Sequence, residues 1–191
     1  MTLEQLKKLC LANNIPIVRD QTLEEIRQLI QTNKYESVLE LGTAYGYSAY
    51  AISLINCVKK IVTLELRKSN YDIASNALAT CSNVKCVNAD AFEYVTNDKF
   101  DFIFMDACKS HQDVLFEKYS KNLKDNGIIF IDNIYLKKFN INSLDKLTKN
   151  QRHLIERVRE FEKYLRNLKD WDIEIKDIDD GYAICRRKKC K

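Results

Sequence analysis

The feature that most constrains this chain is an alternation. From about residue 37 to 131, short apolar runs take turns with stretches of helical spacing. Ser37–Leu41, Lys60–Leu64, Val84–Val87, Phe100–Met105 and Gly127–Ile131 read as strands, the last (GIIFI) as a buried one. Residues 46–56, 69–80 and 111–123 read as the helices between them. Alternation of this kind builds parallel βαβ units with right-handed crossovers. Ahead of it, 2–12 carries Leu3, Leu6 and Leu9 at helical spacing. Thr22-Leu-Glu-Glu25 then has the form of a capping box, with Leu23, Ile26, Leu29 and Ile30 on one face. Behind it lie a long amphipathic helix over 151–168 and two strands, Trp171–Ile178 and Tyr182–Arg186. These flank the hairpin signal Asp179-Asp180-Gly181.

The 191 residues suit one domain, with helices in 1–33 leading into it. The seven cysteines are odd in number and contain no CxxC pair, which argues against both a disulfide framework and a zinc site. Scattered reduced thiols imply a cytoplasmic protein. The start, MTLEQLKKLCLANN, has neither the apolar core of a secretory signal nor the length of a membrane span, so no membrane association is expected. The net charge of +4 is uneven: residues 1–149 hold 19 Lys/Arg against 18 Asp/Glu, and residues 150–191 hold 12 against 9. The final RRKKCK suits either phosphate contact or a solvated tail.

Ligands of such sheets bind beyond the carboxyl ends of the strands, so those ends carry the functional signal. The first strand runs into Glu40-Leu-Gly42-Thr-Ala44-Tyr-Gly46-Tyr47-Ser48, which contains two of the chain's four glycines. The spacing is G-x-x-x-G rather than the G-x-G-x-x-G of dinucleotide sites, and Glu40 suits an amino-bearing ligand better than a phosphate. Glu65 ends the second strand at the distance where an acid serves a ribose diol. The third ends in Asn88-Ala89-Asp90-Ala91, where Asp90 is positioned to cap a helix and backbone amides to face an adenine. The fourth ends in Asp106-Ala-Cys-Lys109 and the fifth in Asp132-Asn133. On neighbouring strands these bring together two carboxylates and an amide oxygen, hard ligands suited to Mg²⁺ or Mn²⁺. Asp106 and Asp132 as plain turn caps is the competing reading.

ELGTAYGYSA (40–49), the acid at 65, NADA (88–91), FMDACK (104–109) and IDNIYL (131–136) together resemble the metal-dependent catechol and caffeoyl-CoA type O-methyltransferases. The final DDGYAICRRK fits as well, and within that family the chain looks most like the bacterial tRNA wobble 5-hydroxyuridine methyltransferases. The resemblance implies a Rossmann-like S-adenosylmethionine methyltransferase fold, doubly wound and mostly parallel, with seven strands of which the last is antiparallel, and a homodimer. It assigns Glu40, Gly42, Tyr47 and Ser48 to the methionine part of the cofactor, Glu65 to its ribose and the Ala91 backbone to its adenine, with Ala44 and Asp90 also at the cofactor. Asp106 borders the cofactor and, with Asp132 and Asn133, ligates the metal; Lys109 is catalytic beside the reacting hydroxyl. Two positions depart from the family pattern: Cys108 stands where an aspartate is common, and Gln112 where an aromatic residue is common.

Along the 151–168 helix, Arg152, Arg159, Lys163 and Arg166 fall within about 60° of one another, opposite Leu154, Val158, Phe161, Leu165 and Leu168. That stripe is a candidate contact for a tRNA anticodon stem-loop, extended by Lys137, Lys138 and the tail, with no DNA partner expected. An ordinary solvated helix face is the plain alternative, since Glu156, Glu160 and Glu162 lie alongside. At the level of function, the alternatives are a small-molecule catechol-type O-methyltransferase and a non-catalytic nucleotide- or RNA-binding module.

Overall fold

The computed structural model describes residues 1–136 and 147–189. Among these, helices α1 (Leu3–Ala12), α2 (Asp20–Asn33), α3 (Tyr47–Ser53), α4 (Lys68–Leu78), α5 (Gln112–Ser120) and α6 (Lys149–Asn167) surround one sheet. Its strands are β1 (Ser37–Leu41), β2 (Lys60–Glu65), β3 (Val84–Asn88), β4 (Phe100–Met105), β5 (Leu123–Asp132), β6 (Trp171–Lys176) and β7 (Tyr182–Arg187). The sheet order is β3-β2-β1-β4-β5-β7-β6, with β1 to β5 parallel and β7 antiparallel to both neighbours. This is the doubly wound, seven-stranded architecture with a reversed last strand that the sequence implied.

Strand alternation divides the core in two. Val38, Ile61, Phe102, Phe104, Ile128, Phe130, Tyr182 and Ile184 face the side covered by α1, α2 and α3, against Leu6, Ile26, Ile30 and Ile52. Leu39, Leu41, Val62, Leu64, Ile103, Met105, Ile129 and Ile131 face the other side, against Leu115, Phe116 and Tyr119 of α5 and Phe161 and Leu165 of α6. The same parity carries to the strand ends. Glu40 keeps step with Val38, Glu65 with Ile61, Asp106 with Phe104 and Asp132 with Phe130. Four acids from four adjacent strands therefore project to the α1–α3 side.

Several boundaries differ from the sequence expectation. The expected helix over 111–123 ends at Ser120, and β5 starts four residues before Gly127. Leu123 pairs with Phe100, after which the register shifts so that Phe102 meets Ile128. At the shift a Cβ on Gly127 would come within 2.7 Å of the Asp101 carbonyl oxygen, so the backbones close only over a glycine. Helix α6 starts at Lys149, two residues early, behind a capping box in which Thr148 and Gln151 exchange bonds. Its buried side holds Ile155, Val158, Phe161 and Leu165, with Leu168 as C-cap rather than helical. Lys176 pairs with Tyr182, so residues 177–181 form a five-residue loop rather than a tight hairpin turn. Lys137, Lys138, Cys190 and Lys191 lie outside the described residues. No helix of the described residues is long and apolar enough to cross a membrane.

The capping box at Thr22 does not form. Helix α2 begins at Asp20, and its N-cap residue Arg19 makes no side-chain cap. The cap comes instead from the far end of the chain. Asp179 Oδ2 accepts from the Thr22 amide (3.0 Å) and from the Thr22 hydroxyl (2.8 Å), while Arg19 pairs with Asp180 at 3.3 Å. An acid across the first turn satisfies exposed amides and suits the helix dipole. It also ties the α1–α2 connection, residues 13–19, to the β6–β7 loop. Asp179 stands in the left-handed region (φ 53), so a glycine replacement keeps the backbone and deletes only the cap. Asp179→Gly is expected to lower stability by about 1 kcal/mol, seen as a Tm loss of roughly 2–4 °C in calorimetry. An unchanged Tm would remove the role given to this bond.

Candidate active site

The turn after β1 is built to let backbone pass close to backbone. Gly42 has φ 100, and a Cβ there would meet the Asp106 carbonyl oxygen at 2.9 Å. The amides of Gly42 and Thr43 bond the Leu64 carbonyl, and the Asp106 amide bonds that of Leu41, so the ends of β1, β2 and β4 are laced together. Beneath the turn lies Glu40, 0% exposed, its carboxyl accepting from the hydroxyls of Ser48 and Thr63. Burial pushes Glu40 up to about 7, the two hydroxyls oppose that rise, and the carboxylates of Asp106 and Glu65 add to it. Glu65 receives the amides of Ala44 and Arg67, each at 2.8 Å, one on each oxygen.

A cavity of about 410 Å³ opens over this floor, lined by Gly42, Ala44, Glu65, Asp90, Ala91 and Asp106 among others. Its size falls in the range of small-molecule sites. Tyr47 and Ser48 line an adjoining recess together with Gly42, Ala44 and Asp106. Two expectations change. Glu40 lines neither space and works from behind, by fixing Ser48. Asp90 caps no helix; its side chain and carbonyl take the amides of Phe92, Glu93 and Tyr94 and fold residues 90–94 into a turn. That turn presents Ala91 and Phe92 to the cavity.

A second cavity, also of about 410 Å³, adjoins the first and is lined by Asp106, Lys109, Asp132 and Asn133 and by Ile15, Pro16, Ile17 and Val18 of the α1–α2 connection. Asp106, Lys109, Ile15 and Pro16 line both cavities. The Lys109 ammonium donates to Asp106 Oδ1 at 3.1 Å and to the side-chain oxygen of Asn133. Asn133, at φ 61, folds back so that its amide reaches Asp132 Oδ1 at 2.8 Å. Asp132 is buried and its carboxyl is raised, chiefly by burial and then by the Asp106 carboxylate.

Among the described residues no group of three or more His, Cys, Asp or Glu side chains is placed to hold a metal. The candidate set is thus two carboxylates completed by the Asn133 amide oxygen. Two of these oxygens, Asp106 Oδ1 and Asn133 Oδ1, meet at the Lys109 ammonium, and the mutual repulsion of Asp106 and Asp132 favours a cation near them. The set fits a divalent ion of the Mg²⁺ or Mn²⁺ kind.

Helix α6 packs beside the turn that carries Lys109. Arg152, Arg159, Lys163 and Arg166 are exposed on it, but Arg166 is engaged by Glu162 at 2.8 Å. The sequence reading passed over Arg157, whose guanidinium reaches the Ser110 carbonyl, Asp113 and Glu160. Its signal, an arginine off the exposed stripe and near the apolar face, has no meaning until the turn at 109–111 is seen beside it. Gln112 presents no ring to the site, and its side-chain amide approaches the Asp132 carbonyl at 3.4 Å.

Glu40 gives the cavity floor a pH signature. A carboxyl raised above its unfolded value adds stability that is complete below about 4.5 and lost as pH rises through about 7. Glu40→Gln keeps the hydroxyl partners and removes the titration. In calorimetry of the cofactor-free protein, wild type is expected to lose up to roughly 3 kcal/mol between pH 4.5 and 8 relative to Glu40→Gln. Parallel stability curves for the two proteins over that range would contradict the buried-acid account.

A family model described as O-methyltransferase matches residues 1–188. The crystal structure of a "putative caffeoyl-CoA O-methyltransferase" from Staphylococcus aureus superposes with a TM-score of 0.89 at 29% identity, covering 98% of this chain and 93% of that one. An S-adenosylhomocysteine-bound methyltransferase of Podospora anserina, PaMTH1, superposes at 0.83 with 23% identity, covering 98% and 86%. In sequence, Tapetum-specific methyltransferase 1 of Arabidopsis thaliana is 25% identical over 174 residues, 85% of this chain and 74% of its own length. With nearly its whole length matched by one family model and its sheet superposable on solved members, the chain belongs to the O-methyltransferase family.

Proposed function

We propose that the chain transfers the methyl group of S-adenosylmethionine to a hydroxyl oxygen at a divalent-cation site, and that the acceptor is 5-hydroxyuridine at the wobble position of tRNA, giving 5-methoxyuridine. The observation that carries the reaction class is the shared wall. Asp106 and Lys109 border both the Glu65-lined cavity and the Asp132–Asn133 cavity. A donor in the first and an acceptor in the second would meet at those two residues. The S-adenosylhomocysteine bound in the Podospora anserina neighbour supports an S-adenosylmethionine donor.

Each residue then has a task. Glu65, fixed by two amides, offers its remaining lone pairs to a ribose diol, and Ser48, fixed by Glu40, faces the methionine end. The turn at 90–94 brings Ala91 and Phe92 against the base. Asp106, Asp132 and Asn133 would hold the cation, which would supply Lewis-acid charge that lowers the acceptor hydroxyl's pKa. The acceptor hydroxyl gives its proton up to water, the Lys109 ammonium balances the charge left on the oxygen, and the O–CH3 bond forms as the S–CH3 bond breaks to release S-adenosylhomocysteine. Ile15, Pro16, Ile17 and Val18 give the second cavity an apolar border. Alignment of nucleophile, methyl and leaving sulfur supplies most of the rate.

The acceptor reading rests on α6. Arg152, Arg159 and Lys163 are exposed on a helix whose inner side abuts the Lys109 turn, so RNA backbone on that face would bring a neighbouring base toward the second cavity. A homodimer working in the cytoplasm, where tRNA is matured, belongs to the same reading. A small-molecule acceptor is the second reading, favoured by the caffeoyl-CoA name carried by the Staphylococcus aureus neighbour.

Two tests separate these. Purified enzyme with S-adenosylmethionine and Mg²⁺ should form 5-methoxyuridine in tRNA bearing 5-hydroxyuridine, read by nucleoside mass spectrometry. EDTA or Asp106→Ala should abolish it, and Lys109→Met should reduce it by on the order of 10²–10⁴-fold. Methylation of a catechol but not of the tRNA would shift the assignment to the second reading. Separately, Arg159→Ala with Lys163→Ala should weaken RNA binding for every sequence and flatten its salt dependence by about two charges. An unchanged salt slope would take α6 out of the RNA contact.

A further inference from the structure

Lys109 sits on a turn outside the sheet. After β4 the chain passes Cys108 in the left-handed region (φ 38) and closes one 3₁₀ turn over Lys109–His111, with the His111 amide on the Cys108 carbonyl at 2.9 Å. A non-glycine residue at that φ holds only where its surroundings fix it. Besides its own internal bonds, the turn is reached by a group from α6. Arg157 Nε–H donates to the Ser110 carbonyl at 3.0 Å, one residue from Lys109. Its terminal nitrogens reach the Asp113 carboxylate in the first turn of α5 at 3.3 and 3.4 Å and Glu160 on α6 at 3.0 Å. Helix α6 itself is anchored by Phe161 and Leu165 in the core.

We propose that Arg157 is a positioning residue: its guanidinium transmits the fixed place of α6 to the turn and so holds Lys109 at the border shared by the two cavities. The proposal rests on the reading that Lys109 acts at the reacting centre. The half-exposed ion pairs to Asp113 and Glu160 contribute little to stability taken singly. Their effect is geometric. A guanidinium is a rigid planar fork, and with its terminal nitrogens held by two carboxylates its Nε–H is aimed in one direction. Lysine, with a single rotatable ammonium, cannot serve the three partners in one plane.

The test pairs kinetics with amide exchange. With 5-hydroxyuridine-bearing anticodon stem-loop RNA as acceptor, Arg157→Met should lower kcat by on the order of 10–100-fold. KM for S-adenosylmethionine should stay within about twofold, and Arg157→Lys should restore part of the rate. In a Lys109→Ala background Arg157→Met should have less than about a twofold further effect, because the two act as one unit. Additive losses would overturn the proposal, and full activity of Lys109→Ala would instead sink the reading of Lys109. Exchange needs no acceptor. Amides of 108–111 should exchange roughly tenfold faster in Arg157→Met, with those of β1 unchanged. Unaltered protection of 108–111 would overturn the clamp whatever the acceptor proves to be.

Discussion

Glu40, Glu65, Asp106 and Asp132 are placed by strand parity on one side of the sheet, at the ends of four adjacent strands. Electrostatics disfavours such a gathering, and the structure answers it differently at each acid. Glu40 is buried and raised, with two hydroxyls on its oxygens. Glu65 is met by two backbone amides. Asp106 has the Lys109 ammonium, and Asp132 keeps a raised carboxyl with the Asn133 amide on one oxygen. The fold leaves the charge of these acids only partly balanced, which is what the proposed function asks of a site for a sulfonium donor and a divalent ion.

Much of this was legible in the sequence, because the determinants are local. A strand followed by a glycine turn, or ending in an acid, advertises itself within ten residues. The period-two pattern fixes which side each acid takes once the strands are parallel. That is why Gly42, Ala44, Glu65, Ala91, Asp106, Lys109, Asp132 and Asn133 were found at the cavity walls. Glu40 was found as well, though as a support beneath the site rather than as part of its wall.

What stayed hidden depends on partners distant in sequence. Thr22 has the composition of a capping box, but its partner is Asp179, supplied across 157 residues. Leu123 looked like the last turn of a helix because its pairing with Phe100 is set by a register shift that Gly127 permits. Arg157 stands off the basic stripe of α6, but its role is set by the turn that lies opposite it. In each case the residue type was readable and the contact was not, since a contact is a property of two segments.

The bond between Asp179 and Thr22 has a consequence for how the enzyme comes into being. The Ile15–Val18 wall is made early in synthesis, yet the loop that fastens it follows β6, and β7 must then slot between β5 and β6 to complete the sheet. A nascent chain short of residue 179 lacks the clasp on its own amino-terminal arm. Loops that span most of the chain close slowly. The fastening of the Ile15–Val18 border therefore waits on nearly the last residues to be synthesised.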